Sequence, residues 1–359
     1  MTELEQRQRD LSARFGEWKV DSFLVSSPAN IRYLTGYSGS NGLLLVTREE
    51  AHFFTDPRYA IDATAQVTAK VHIEKKTLYS GAAAIIKRKR LKKIGFESFF
   101  TRYDEYLKLK DELPLGSSLY PIGRKIDEQR MIKSPSEIEK IRRSVLMNSE
   151  AYSRTIARVK RGAREQDIAA ELDYQMRCLG AEKPAFETIV AAGERTALPH
   201  AHPSAHRLGE NELLLIDMGA CREGYASDMT RVAHTGKPPK KIQAMFKAVL
   251  EAQLAAIDAV RAGVVTGKVD AAARSVLQRH ELERAFVHST GHGLGLEIHE
   301  PPRIARKDKT KLKAGMAITI EPGAYIEGLG GIRIEDTVLV TEHGCEILTP
   351  TPKELLEIN

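Results

Sequence analysis

The chain has 359 residues, of which 42% are hydrophobic and 28% charged, so it holds enough apolar material for two domains. No apolar run approaches the roughly 18 residues of a membrane span, and the charged amino-terminal stretch lacks the apolar core of a signal peptide. The apolar pattern therefore predicts no membrane partner. The three cysteines are odd in number and too widely spaced for a disulfide framework, which predicts a cytoplasmic protein.

The net charge of +6 raises the question of nucleic acid, and the one dense basic run extends from Lys87 to Lys93. This run follows a small apolar helix and precedes a predicted strand, which is typical of a solvated helix end. No aromatic residue is interleaved for base stacking, so the sequence predicts no nucleic-acid partner.

Residues 1–123 alternate strand and helix signals, which predicts a small α/β domain with a mixed sheet. A linker is expected over 124–132. The region 133–359 opens with Ser134-Pro135-Ser136-Glu137, a capping box that predicts the start of a helix. A second helix is expected from Glu165 to Leu179, and it should end at Gly180.

The region 133–359 then shows one order of elements twice. Each pass has two helices, a loop that contains histidine and a hairpin that contains two acids. This order predicts an α+β domain of two similar halves, with helices covering two hairpins that face each other. The hairpins are expected over 211–231 and 315–340, and the second pair of helices over 241–261 and 269–283.

Each predicted hairpin contains two carboxylates next to apolar strand residues. Asp217 ends the run Leu213 to Ile216, and Asp228 lies on the returning strand; Glu321 and Glu335 occupy the second hairpin. A buried carboxylate is costly unless it is paired or binds a metal. Period-2 alternation turns Asp336 away from the face of Glu335, which predicts a structural role for it.

The loop before the second hairpin is rich in glycine and contains His288, His292 and His299. Four carboxylates with one imidazole suit two divalent cations of the Mn²⁺, Co²⁺ or Zn²⁺ type. Two such ions can share a bridging water and lower its pKa. The alternative is a set of acids paired with arginine and lysine.

Five motifs in order resemble the metallopeptidases of the pita-bread fold, and among them the Xaa-Pro peptidases, prolidase and aminopeptidase P. They are ALPHAHPS, LLLIDMGACREGYASDMTR, HSTGHGLGLEIHEPP, TIEPGAY and GIRIEDTVLVT. RMIKSPSEIEKIRRS resembles the entry to their catalytic domain. NIRYLTGYSGSNG and TDPRY resemble their creatinase-type amino-terminal domain, so the resemblance covers nearly the whole chain.

The resemblance implies two divalent metal ions per subunit, Mn²⁺ or Co²⁺ first and Zn²⁺ second. It implies that Asp217 binds one ion, that Asp228 and Glu335 bridge both, and that His292 and Glu321 complete the other. Glu321 is also the implied carrier of the proton between the bridging hydroxide and the leaving nitrogen.

The resemblance also implies roles for residues around the metals. His200 corresponds to a histidine that steadies the transition state or the leaving group. His288 and His299 correspond to histidines that shape the pocket and contact the substrate carbonyl. Arg333 corresponds to an arginine that either orients Glu335 or receives a substrate carboxylate. His202 has no counterpart and is expected to be an ordinary loop residue.

The predicted function is therefore hydrolysis of Xaa-Pro bonds in proline-containing dipeptides or short peptides. The short amino-terminal domain favours a dipeptidase over an aminopeptidase P, which would cut longer peptides. Methionine aminopeptidase lacks that domain, and creatinase lacks the full ligand set. A non-catalytic pita-bread module that binds peptides is the alternative from another class. The family resemblance also implies a homodimer formed through the amino-terminal domain.

Overall fold

A computed structural model describes residues 1–358, and the contacts within it divide the chain into Met1–Arg130 and Met131–Asn359. The first unit is an α/β domain, as predicted. Its helices are α1 Glu3–Ala13, α2 Phe15–Trp18, α3 Pro28–Thr35, α4 Ala60–Gln66, α5 Leu78–Lys89, α6 Tyr103–Glu112 and α7 Lys125–Arg130. Its strands are β1 Ser22–Val25, β2 Leu43–Thr47, β3 Ala51–Thr55, β4 Lys70–Ile73, β5 Lys93–Glu97 and β6 Ser118–Ile122.

The six strands of the first unit form one sheet in the order β4-β3-β2-β1-β5-β6. Strands β1, β2 and β3 pair antiparallel, whereas β3–β4, β1–β5 and β5–β6 pair parallel, so the sheet is mixed. Helix α7 lies within the segment expected to be a linker. Its Arg130 is buried and donates a 2.7 Å hydrogen bond to Asn30 Oδ1, which anchors the end of α7 to helix α3.

The second unit has four long helices and fourteen short strands among the described residues. The helices are α8 Pro135–Ile156, α9 Glu165–Cys178, α10 Lys240–Asp258 and α11 Thr266–Arg279. The strands are β7 Lys183–Pro184, β8 Ile189–Ala192, β9 Leu213–Met218, β10 Ala220–Arg222, β11 Tyr225–Ala226, β12 Met229–Thr235, β13 Gly291–Gly293, β14 Glu300–Ile304, β15 Ala317–Ile320, β16 Gly323–Ile326, β17 Gly330–Arg333, β18 Asp336–Val340, β19 Cys345–Ile347 and β20 Leu356–Ile358.

The predicted start of α8 and both predicted ends of α9 are confirmed to within one residue. The Ser134 hydroxyl accepts from the backbone N–H of Glu137, and the Glu137 carboxylate accepts from the backbone N–H of Ser134, so the capping box is complete. Helix α9 ends at Cys178, and Gly180 follows with φ of +100°, a conformation that glycine adopts without strain.

Strand β9 is buried on both faces, which accounts for its unbroken apolar run. Leu214 and Ile216 pack with helices α8 and α9, whereas Leu213 and Leu215 pack with residues of α10, α11 and β15. Alternation therefore places Asp217 on the same side as Leu213 and Leu215, toward the second half of this unit.

Both predicted hairpins are interrupted where they carry their acids. Strand β9 pairs with β12, and β15 with β18, but the intervening β10–β11 and β16–β17 pairs belong to separate sheets. Asp228, Glu321 and Glu335 lie at these breaks, outside the named strands. Among residues 1–358, no helix has both the length and the apolar composition needed to cross a membrane.

Candidate metal centre

Three of the predicted ligands converge at the strand breaks. Ligand atoms of Asp228, His292 and Glu335 lie within 4.8 Å of one another. His292 Nε2 is 3.6 Å from Asp228 Oδ2 and 3.5 Å from Glu321 Oε1, so Glu321 borders the same group. These separations exceed a hydrogen bond and leave room for a shared partner between the acids and the imidazole.

The His292 ring is oriented for ligation. Its Nδ1 lies 3.0 Å from the carbonyl oxygen of Gly293, which can only accept, so Nδ1 carries the proton. Nε2 then presents its lone pair toward Asp228 and Glu321. Metal-binding histidines commonly have this arrangement, in which a backbone carbonyl fixes the tautomer.

Asp217 faces the group from strand β9 and is held by an arginine. Arg333 Nη2 donates a 2.6 Å hydrogen bond to Asp217 Oδ2, whereas Asp217 Oδ1 is buried without a hydrogen-bond partner among the described residues. A buried carboxylate oxygen without a partner is unfavourable in a protein interior. A cation beside Oδ1 would satisfy it.

The crowding of these acids shifts their protonation. Burial, together with the negative charges of Glu335 and Asp217, raises the pKa of Asp228 well above its usual value. Burial likewise raises the pKa of Glu335 strongly and that of Glu321 to about 8. So much negative charge in one buried place calls for compensating cations. The donor set and the unpartnered oxygen therefore fit divalent metal ions.

Arg333 contacts several parts of the site at once. Its Nε donates to Thr230 Oγ1 at 3.1 Å, and its Nη1 donates to Tyr325 Oη at 2.6 Å and to the Pro199 carbonyl at 3.3 Å. It touches Asp217 directly and reaches Glu335 only through Thr230. Its predicted alternative, binding of a substrate carboxylate, stays a prediction.

The three substrate-side histidines border this group. The rings of His292 and His299 meet edge-on with centroids 4.5 Å apart, and burial lowers the pKa of His299. His288 Nε2 accepts from Tyr325 Oη at 2.8 Å, and burial lowers the pKa of His288 to about 4. His200 is exposed and lies close enough for its positive charge to lower the pKa of both His288 and His299. His202 is exposed and pairs with Glu187 outside the group.

Two residues of this site were absent from the sequence-based set. The Thr230 hydroxyl donates to Glu335 Oε2 at 2.7 Å, and period-2 alternation from Asp228 along the strand is a signal that places both on one face. Tyr325 links Arg333 to His288, and no local sequence signal indicates that role.

Asp336 pairs with Arg231 at 2.7 Å, on the opposite side from Glu335.

Comparison with known proteins identifies the family. Residues 139–342 match the model of metallopeptidase family M24, which is more than half of the chain. The chain belongs to metallopeptidase family M24. Residues 7–132 match the creatinase/prolidase amino-terminal domain that accompanies the peptidase domain here.

Full-length relatives support the M24 assignment. The chain is 37% identical to a Xaa-Pro dipeptidase of Pyrococcus furiosus over 98% of this chain and 100% of that protein. A Xaa-Pro dipeptidase structure from Bacillus anthracis superposes with a TM-score of 0.96 at 33% identity, covering 99% and 100% of the two chains. An X-Pro aminopeptidase structure from Thermotoga maritima gives 0.91 at 33% identity over 98% and 100%.

Removal of the Thr230 hydroxyl in this M24 peptidase should weaken cation binding. In Thr230→Val, Glu335 Oε2 loses a donor and Arg333 Nε loses an acceptor, while the side-chain shape is kept. We expect divalent-cation affinity to fall roughly 10- to 100-fold, measured by competition with a fluorescent chelator.

Thr235→Val is the matched control for this variant. Thr235 lies on the same strand and is equally buried, but its hydroxyl bonds with Gly209 and Glu212, away from the acids. An equal loss of affinity in both variants would show that the Thr230 effect is a general consequence of altering β12.

Proposed function

We propose that this chain hydrolyses the bond between a residue and a following proline, chiefly in Xaa-Pro dipeptides. The observation that carries the proposal is the convergence of Asp217, Asp228, His292, Glu321 and Glu335 beside further histidines. The names of the Pyrococcus and Bacillus relatives support the substrate class.

The proposed site holds two divalent cations per subunit, Mn²⁺ or Co²⁺ first and Zn²⁺ as the alternative. Asp217 would bind one, His292 and Glu321 the other, and Asp228 and Glu335 both. When bound, such ions supply Lewis acidity and lower the pKa of water. The oxygen-rich donor set with one imidazole and no thiolate supports these metals.

The side chains of the protein then perform the proton transfers. Glu321 takes the proton that the attacking water loses and donates it to the proline nitrogen, because that nitrogen must leave as a secondary amine. His299 is neutral near pH 7, since burial lowers its pKa, and it donates a hydrogen bond to the substrate carbonyl oxygen. We assign His200 to the same oxygen or to the leaving nitrogen.

The chemistry of the Xaa-Pro bond explains why its hydrolysis requires a specialised active site. The Xaa-Pro bond is a tertiary amide without an N–H, so a peptidase that grips an extended backbone cannot use that donor. The partly buried rings of His288 and Tyr325, with centroids 5.5 Å apart, offer an aromatic surface against which a pyrrolidine ring can pack. We propose that this surface accepts the proline ring.

Aminopeptidase P activity is the second candidate, since the Thermotoga X-Pro aminopeptidase also superposes along the full chain. A direct assay compares Ala-Pro with Ala-Pro-Ala in the presence of Mn²⁺. For a dipeptidase we expect kcat/KM for Ala-Pro to exceed that for the tripeptide by about 10-fold or more, because the site must accommodate the free proline carboxylate.

The reverse ratio in this assay would assign aminopeptidase P activity. No cleavage of either peptide, together with no bound Mn²⁺, would indicate a peptide-binding module instead. We also propose that the chain acts as a homodimer, which light scattering of the purified protein tests.

A further inference from the structure

A buried carboxylate that is not among the predicted metal ligands holds the loop that carries His200. Glu165 is the first residue of helix α9 and is only 1% exposed. Its Oε1 accepts from the Ala192 backbone N–H at 2.8 Å, where the loop begins. Its Oε2 accepts from the Ser204 backbone N–H at 2.8 Å and from the Ser204 hydroxyl at 2.6 Å, where the loop ends. One side chain therefore closes the loop.

An arginine extends this contact into the middle of the loop. Arg195 Nε lies 3.0 and 3.1 Å from the two oxygens of Glu165, and its Nη2 donates to the His202 carbonyl at 2.8 Å. His200 lies between Arg195 and His202 in the chain. Its backbone is thus bracketed by one carboxylate–guanidinium pair. The Arg195 side chain is 33% exposed, whereas the Glu165 carboxylate is buried with both oxygens hydrogen-bonded, so removal of its charge or of its partners is costly.

The opposite side of the same loop rests on strand β17. The Thr196 hydroxyl accepts from the Gly331 backbone N–H at 2.8 Å, and a Cβ on Gly331 would lie 2.1 Å from the Thr196 carbonyl oxygen. Arg333 also donates to the Pro199 carbonyl. The loop is therefore fixed between helix α9 and a strand that leads to Glu335.

We propose that Glu165 is a positioning residue that sets the place of His200 over the metal group. The inference rests on the proposed function, because the substrate-side role of His200 belongs to that proposal. Glu165 acts through Arg195 and Ser204 and touches no reacting atom.

The second half contains an equivalent contact that serves as a comparison. Asp270 on helix α11 is fully buried and accepts from Thr290 Oγ1 and Arg274 Nε, both at 2.8 Å. Arg274 Nη2 donates to the His288 carbonyl at 2.6 Å. In each half, a buried acid and an arginine thus hold a loop that contains histidine. The Glu165–Arg195 pair holds the loop of His200, and the Asp270–Arg274 pair holds the loop of His288.

The decisive variant is Glu165→Gln, which keeps the shape of the side chain. Both oxygens of Glu165 accept from donors, so an amide NH₂ faces an N–H or O–H whichever way it is placed. The loop must then shift or lose contacts. We expect kcat for Ala-Pro hydrolysis to fall about 10-fold with KM and bound metal little changed, since His200 acts in the transition state.

A double-mutant cycle separates positioning from general stability. If Glu165 acts through His200, the loss caused by Glu165→Gln should shrink to less than about 2-fold when His200 is already alanine. Asp270→Asn should cause the same fold loss with or without His200. An undiminished 10-fold loss for Glu165→Gln in the His200→Ala background would overturn the proposal.

Two further measurements keep the test decisive. Glu171→Gln, on the same helix but partly exposed, should leave the rate unchanged.

Hydrogen exchange of the metal-free protein should be faster over residues 193–206 in Glu165→Gln and unchanged over residues 286–290. In Asp270→Asn, exchange should be faster over 286–290 and unchanged over 193–206. Unaltered exchange over 193–206 in Glu165→Gln would overturn the positioning role, whether or not the wild-type protein cleaves Ala-Pro. Failure of the wild-type protein to cleave Ala-Pro would count against the proposed function alone.

If Glu165→Gln does not fold, Arg195→Lys provides a milder variant. Lysine keeps a positive charge near Glu165 but cannot reach Glu165 and the His202 carbonyl together in the planar arrangement of arginine. We expect kcat for Ala-Pro to fall about 3-fold in Arg195→Lys, and we expect this loss to disappear when His200 is already alanine. Full additivity with His200→Ala would again reject the positioning role.

Discussion

Asp228→Asn is expected to abolish Ala-Pro hydrolysis and retention of divalent metal together. Asp228 lies at the break before β12, and its Oδ2 is 3.6 Å from His292 Nε2. Burial raises the pKa of Asp228, and the negative charges of Glu335, Asp217 and Glu321 raise it further. Asp228 therefore lies close to all three of the other acids. The substitution removes one negative charge and one anionic ligand without changing side-chain volume.

The loss of activity should be on the order of 10³-fold or more, because metal ions stabilise transition-state charge by several kcal/mol. Kinetics with saturating Mn²⁺ and metal analysis after desalting measure both effects. Glu327→Gln is the matched control, since Glu327 is exposed on the turn between β16 and β17. Normal turnover by Asp228→Asn would refute the proposed metal centre.

The same substitution should change thermal stability in opposite directions with and without metal. In wild-type protein, saturating Mn²⁺ should raise the melting temperature by roughly 10 °C, because a ligand that binds only the folded state adds about 3–4 kcal/mol at 100 to 1,000 times its Kd. Chelation removes this gain. The folded protein then retains several buried acids close together.

Metal-free Asp228→Asn should therefore melt above metal-free wild type, because the variant has one fewer buried charge to accommodate. With Mn²⁺ present the order should reverse, since only wild type gains the binding energy. Differential scanning calorimetry of both proteins, with chelator and with Mn²⁺, measures all four values. A variant that melts below wild type by the same margin in both conditions would show ordinary loss of packing.

The proximity of the acids was predictable because each lies next to apolar strand residues that must be buried. Asp217 illustrates the reasoning: the apolar run before it packs on both faces, so the acid that follows this run must lie inside the domain. Repetition of the element order indicated that the two hairpins would face each other. The roles of individual acids as ligands stay predictions.

Other features of the site could not be predicted from a single sequence. The breaks at Asp228, Glu321 and Glu335 arise because strands change partners between sheets, and alternation cannot reveal a change of partner. The functions inferred for Tyr325 and Glu165 depend on contacts across long chain separations. Glu165 reads in the sequence as an ordinary acid in the first turn of a helix, a position that the helix dipole favours in any case.

The predicted metal ligands come from distant parts of the chain, and this determines when during folding they can come together. The hydrogen bond between Thr230 and Glu335 spans 105 residues, and that between Arg333 and Asp217 spans 116. A nascent chain that has emerged only as far as helix α10 contains Asp217 and Asp228 without Arg333, His292 or the glutamates. Contacts of such long range form late, after the entropy of closing the intervening chain has been overcome. The complete set of proposed ligands is therefore available only after the two halves have docked, so the proposed cations would stabilise a nearly folded domain and not an early intermediate.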